Sequence, residues 1–307
     1  MNTSVGCARV VAVVLYALVF VACGPINRLE RANVVDDGND WITACGPNDP
    51  WDKPGPPYRI YGNTYYVGTC GIAAILIAGD QGHILLDAGT ARGGEIIAAN
   101  IAALGFDVRD VEILLHSHEH FDHVGGLALL RSLSGARVIA SVAAAPVLES
   151  GVSAADDPQS GMHTPFAPVP VAATIADGSQ VELGELSLRA IETPGHTPGA
   201  LSWFWQSCDG RQCKTIAYLD SLSPISRDNY RFRDHPQYVL RYRAGLAKLA
   251  DIDCDFALTP HPVASAMHQR LSSPSGLEDR AGCQRYVERI RKRLDMRLLR
   301  EREGRGD

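Results

Sequence analysis

The eight residues His116-Ser117-His118-Glu119-His120-Phe121-Asp122-His123 bring four histidines and an aspartate together directly after the apolar run Val111–Leu115. Imidazoles and a carboxylate at that density need a cation to balance and orient them, so the stretch reads as a metal site. His118 and His120, two apart on extended chain, point the same way and can hold one cation, while Asp122 and His123 lie past the turn and can face a second. Only the frame starting at His118 gives His-x-His-x-Asp-His, so His116 is left as a strand-end residue. Two more histidines sit in stiff turns, each after a β-rich segment: His196 in Thr193-Pro194-Gly195-His196-Thr197-Pro198-Gly199, and His261 in Thr259-Pro260-His261-Pro262. They supply a third ligand for each of two metals and leave room for water. His83, His163, His235 and His268 lack such context and are assigned structural roles.

These residues need elements to hold them. Val111–Leu115 is a buried strand emptying into the histidine loop. Strands are expected over Thr64–Val67, Ile72–Ala78, His83–Asp87, Arg137–Ser141, Val181–Leu183, Leu186–Ile191, Leu201–Trp205, Thr215–Leu219 and Phe256–Thr259. Helices are expected around Ile97–Leu104, over Gly125–Leu133, Ala143–Glu149 and Gln237–Leu249, and in the basic tail Arg285–Arg300, whose charges read as a solvated helix face. Gly151–Val169 is a long loop of the kind that is usually functional or disordered. Two β-rich halves with helices outside imply a sandwich of two sheets with helical outer layers. Asp87, ending its strand, is expected behind the ligands, fixing their geometry.

Residues 1–23 read as an export signal, with Arg9 followed by the 13-residue apolar run Val10–Ala22, shorter than a spanning helix needs. Small residues before Cys23 and Gly24 after it fit lipoprotein cleavage, which would tether the protein by a lipid on Cys23; ordinary cleavage nearby, releasing a soluble protein, fits as well. Periplasmic or extracellular residence follows. Residues 24–57, rich in Asp, Asn, Pro and Gly from Ala32 onward, are expected to form an irregular arm before a domain spanning 58–307. Outside the signal and its boundary six cysteines remain, an even number that suits an oxidising compartment, and sequence alone favours only the pair Cys208–Cys213 across an Asp209-Gly210 turn. With 21% charged residues and a net charge of -6, nothing suggests nucleic-acid binding, and no nucleotide-binding glycine motif occurs.

The His118–His123 motif, the Pro-Gly-His196-Thr-Pro-Gly turn and the late His261 resemble the metallo-β-lactamase superfamily over nearly all of the mature chain. The resemblance implies the αβ/βα four-layer sandwich with two zinc ions at the sheet edges. Many relatives carry a metal-bridging aspartate after the strand matching Thr215–Leu219; here the chain runs Leu219-Asp220-Ser221, and Ser221 at that position, with the intact first histidine of the motif and the Thr-Pro-His261-Pro segment, resembles subclass B3. That resemblance implies His118, His120 and His196 on one zinc and Asp122, His123 and His261 on the other. It also implies the pairs Cys254–Cys283, Cys208–Cys213 and Cys45–Cys70, a monomer, and hydrolysis of β-lactam antibiotics without an acyl-enzyme, conferring resistance. Ser221, Ser223 and Gln159 would contact the substrate. In the other register Asp220 bridges the metals, favouring a lactonase or thioesterase; a non-catalytic zinc-binding protein is the third reading.

Overall fold

The computed structural model describes residues 38–304; the expected export signal with Cys23, and the arm before residue 38, lie outside the described residues. A first sheet runs in the order β1-β2-β3-β4-β5-β6-β7, from β1 (Tyr58–Tyr61), β2 (Thr64–Tyr66), β3 (Ile75–Gly79) and β4 (Gly82–Leu86) to β5 (Val111–Leu115), β6 (Arg137–Ser141) and β7 (Ala173–Ile175). It is antiparallel as far as β4 and parallel from β4 to β7. The second sheet, ordered β12-β11-β10-β9-β8, contains β8 (Gln180–Leu183), β9 (Leu186–Glu192), β10 (Leu201–Asp209), β11 (Gln212–Tyr218) and β12 (Phe256–Leu258). Only its β11–β12 pair is parallel.

Period-two alternation sorts the side chains. Ile75, Ile77, Ile84, Leu86, Ile113 and Leu115 of the first sheet meet Leu188, Leu201, Trp203, Trp205, Ile216 and Tyr218 of the second in one core. The opposite face of the second sheet, through Ile191, Phe204 and Ala217, buries against Tyr242 and Leu246 of helix Pro236–Ala250 and Tyr286, Ile290 and Leu294 of helix Gly282–Arg302. Helices Ala91–Ala103 and Leu127–Ser134 pack together beside the first sheet. Among the described residues no helix is long and apolar enough to cross a membrane.

Two segments differ from the sequence expectation. The 24–57 arm is not irregular throughout: Asn39–Ala44 is helical, with Trp41 only 1% exposed and edge-on to Tyr66 at 5.6 Å. Six residues are too few to be helical on propensity, so tertiary burial and the Cys45–Cys70 disulfide hold the turn. After the Gly151–Val169 loop the chain adds β7 as a short strand parallel to β6. The other disulfides join Cys208 to Cys213, directly opposite in the β10–β11 hairpin, and Cys254 to Cys283, fastening the start of the last helix to the segment before β12.

Candidate metal centre

Five strand ends converge on one edge. Asp87 follows β4, the histidine loop follows β5, His196 lies between β9 and β10, Asp220–Ser223 follow β11, and His261 follows β12. Backbone bonds tie them: Asp87 N–H donates to Leu115 O at 3.0 Å and Leu201 N–H to Ser117 O at 2.7 Å. Two glycines permit the close approach. A Cβ on Gly126 would lie 2.2 Å from Ala88 O, and one on Gly195 would lie 2.3 Å from the Tyr242 ring, so the turn carrying His196 sits flat on that tyrosine.

Donor atoms of His118, His120 and His196 lie within 4.8 Å of one another, as do those of His118, Asp122 and His123. His261 joins the second group, its Nε2 lying 3.2 Å from His123 Nε2 and 3.4 Å from Asp122 Oδ2. The structure thus gathers all six expected ligand residues into two adjoining sets.

Behind four of the imidazoles stands an oxygen acceptor. His120 Nε2 lies 3.0 Å from Asp157 Oδ2, and His196 Nδ1 lies 3.0 Å from Ser223 O and 3.1 Å from its hydroxyl. His123 Nδ1 is 3.3 Å from Asp87 Oδ2, close in distance but not aligned as a hydrogen bond. His118 Nδ1 is 2.8 Å from Asp220 Oδ1, a contact close in distance but not aligned as a hydrogen bond, and 3.2 Å from the Ser117 hydroxyl, which is aligned. Such partners fix tautomer and ring orientation. Asp87, in the left-handed region at φ 62°, accepts from Ser117 N–H at 2.6 Å, the Ser117 hydroxyl at 2.8 Å and the Tyr218 hydroxyl at 2.8 Å. Glu119 is turned away from the cluster and accepts from the Thr197 hydroxyl and Gly199 N–H, locking the His196 turn to the histidine loop.

The electrostatics suit a cation. Burial, reinforced by neighbouring imidazoles, holds His118 and His196 well below the usual histidine range, so they are neutral donors at neutral pH. Burial works against charge on His123, but Asp122 and Asp87 outweigh it and raise it to about 10. Burial likewise opposes ionisation of Asp122, and the adjoining His123 and His261 outweigh it, holding the carboxyl well below its usual range. Burial pushes Asp220 well above its own. His118 Nε2 is buried with no partner, the atom a metal would satisfy. Five imidazoles and one carboxylate with an orphaned buried nitrogen fit zinc.

Of the expected substrate contacts, Ser221 presents a buried hydroxyl with no partner, and Gln159 Nε2 lies 3.3 Å from His196 Nε2. The Ser223 hydroxyl is engaged with His196. His116 accepts Ser141 N–H at Nε2 and lies away from both sets, as its strand-end reading implies. Two residues without a sequence signal of their own stand at the site: Asp157 behind His120, and His163, whose ring is 4.6 Å from that of His120 and 5.3 Å from Phe121. Only the length of the Gly151–Val169 loop pointed toward them.

A model of the metallo-beta-lactamase superfamily matches residues 67–209. The MIM-2 metallo-β-lactamase is 55% identical, with TM-score 0.84, covering 87% of this chain and 99% of that one. The metallo-β-lactamase MIM-1 from Novosphingobium pentaromativorans is 47% identical, with TM-score 0.83, covering 86% and 98%. A hydroxyacylglutathione hydrolase of Bradyrhizobium is 32% identical over 112 residues, 36% of this chain and 34% of that protein. The chain thus spans about a third of the length of the first curated relatives it matches, at 36%, 34% and 36%. Both sheets, both ligand sets and near-complete coverage of these structures place the chain in the metallo-β-lactamase superfamily of hydrolases, where it resembles subclass B3.

Proposed function

We propose that this protein is a subclass B3 β-lactamase that opens the amide bond of penicillins, cephalosporins and carbapenems, and so confers resistance, from the periplasm or the cell exterior. His118, His120 and His196 would hold one zinc, and Asp122, His123 and His261 the other. Zinc held there would supply an activated water at neutral pH and positive charge to stabilise the opening amide. The chain's own groups do the rest. Asp122 accepts a hydrogen bond that orients the attacking water, the unpartnered Ser221 hydroxyl and the Gln159 amide meet the substrate's polar groups, and Ser223 acts by holding His196. The observation that carries the reading is the direction of Asp220, whose Oδ1 faces His118 Nδ1, while Oδ2 accepts Leu222 N–H. A bridging aspartate would instead lie on the side of His118 Nε2, the unpartnered atom that a metal would satisfy.

The test is hydrolysis of a carbapenem and a cephalosporin by purified protein, with and without a chelator, followed by zinc add-back. Turnover lost on chelation and restored by zinc is expected. Kinship to hydroxyacylglutathione hydrolases supports a second reading, a thioester or lactone hydrolase. Turnover of thioesters or lactones, with both lactams untouched, would select it.

A further inference from the structure

Asp157 is 1% exposed, yet it belongs to no strand or helix. Its two carboxylate oxygens do different things. Oδ2 lies 3.0 Å from His120 Nε2, and Oδ1 accepts Gln159 N–H at 2.7 Å. Its carbonyl accepts Arg227 Nη1–H at 2.9 Å, and Arg227 N–H donates to Pro158 O, also at 2.9 Å. Arg227 sits in the irregular stretch after β11, beyond Ser221 and Ser223, with its guanidinium 5.4 Å from the Tyr230 ring centre. One carboxylate therefore joins a metal-site imidazole to the loop that places Gln159 and His163 over the histidines. An arginine braces that loop from outside.

We propose that Asp157 is a positioning residue with two duties, orienting His120 toward its metal and holding the 157–163 loop in register over the site, and that Arg227 serves the second duty alone. Two acceptor oxygens serve two N–H groups, so no neutral side chain of this size can replace the carboxylate in both. Asparagine has one acceptor and one amino group, and a donor facing a donor breaks one bond whichever way it turns. A carboxylate behind a ligating imidazole commonly sets metal affinity by ten- to a hundredfold. Among the described residues Arg227 makes its hydrogen bonds to Asn229, Asp157 O and Pro158 O and to none of the ligand imidazoles, so its loss should move the loop's side chains while leaving metal affinity unchanged.

The inference rests on the metal-site reading, and its first two readouts need no lactam. Metal affinity would be measured by zinc competition with a chromophoric chelator, and loop order by amide hydrogen exchange over residues 157–163, on zinc-loaded parent, Asp157→Ala, Asp157→Asn and Arg227→Ala. For Asp157→Ala, zinc affinity at one site should fall roughly ten- to a hundredfold, with faster exchange in the loop. Asp157→Asn should lose one of the two effects or part of each. For Arg227→Ala, exchange should rise about tenfold with zinc affinity kept, since one charge-assisted bond to a carbonyl is lost. With a hydrolysed substrate, that variant should raise KM more than it lowers kcat. Parent-like zinc affinity in Asp157→Ala, or unchanged loop exchange in both Asp157→Ala and Arg227→Ala, would overturn the proposal. Should Asp157→Ala fail to fold, Asp157→Asn and Arg227→Ala carry the test: parent-like affinity and exchange in both would overturn it. If no lactam is hydrolysed but affinity and exchange respond as stated, the substrate reading falls and the positioning role stands.

Discussion

Replacing Asp220 by Asn tests the geometry on which the functional reading turns. The carboxylate is fully buried, 2.8 Å from His118 Nδ1, and accepts Leu222 N–H at 3.2 Å. Asparagine fills the same space, but with its carbonyl kept for Leu222 N–H it replaces the oxygen close to His118 Nδ1 by an amino group. His118 then loses part of its orientation, and loss of such a partner costs about ten- to a hundredfold in metal affinity, or about 1.4–2.8 kcal/mol. The penalty should fall on the set containing His196, with both metals still retained after dialysis. Stepwise displacement by a chelator, with metal analysis of the dialysed protein, resolves the two sites. Loss of both metals together, or a larger loss at the His123–His261 set, would mean that Asp220 reaches between the sites and would refute the argument.

Other consequences concern stability. His116 is held down to about 4 by burial, and its Nε2 must stay unprotonated to accept Ser141 N–H. Between pH 6.5 and 4 the unfolded chain therefore takes up a proton that the folded chain refuses, and the metal-free protein should lose up to about 3 kcal/mol as pH falls. Urea melts of parent and His116→Gln at pH 7, 5 and 4 should converge toward low pH, and parallel curves would sink the idea. Glu301, 4% exposed, accepts from Arg297 Nε at 2.6 Å and caps Phe232 and Arg233 N–H groups. Glu301→Ala should cost about 3–5 kcal/mol because a buried guanidinium loses its carboxylate and keeps the neutral acceptors Ser226 and Tyr230, and two backbone N–H groups lose their cap; a denaturation midpoint within error of the parent would count against that. Removing Cys254–Cys283, which spans 29 residues, should cost about 3–4 kcal/mol, against about 2 for Cys208–Cys213, which spans five, on the chain-entropy scale. A reversed order in calorimetry would show that native-state effects dominate.

Where a residue's role follows from its immediate neighbours, the sequence was readable. β5 and β6 occur over the expected residues because continuous apolar runs bounded by turns have few other uses. The spacing of His118, His120, Asp122 and His123 is a local property of one loop, and proline-flanked turns mark His196 and His261. Asp87 also lies where the end of its strand suggested. Asp157 and His163 were illegible because their approach to His120 depends on the path of a long loop without periodicity. Helix Asn39–Ala44 was hidden for a related reason: Trp41 is fixed by Tyr58 and Tyr66 across the sheet, and polar neighbours mask it. The orientation of Asp220 is a matter of one side-chain rotation, which residue order does not encode.

The last long helix reaches the platform beneath the site directly. The Tyr286 hydroxyl donates to Ser221 O at 2.6 Å and Asp220 O at 3.1 Å, and Arg297 donates to Ser226 and Tyr230. During synthesis, which proceeds from the N-terminus, every imidazole of the site emerges before Tyr286, which steadies Asp220 and Ser221. A nascent chain halted before Gly282 would hold all six ligands and lack the floor they stand on. Full metal affinity is therefore expected to require a helix that contributes no ligand, and a chain ending before Gly282 that bound zinc as tightly as the parent would refute this.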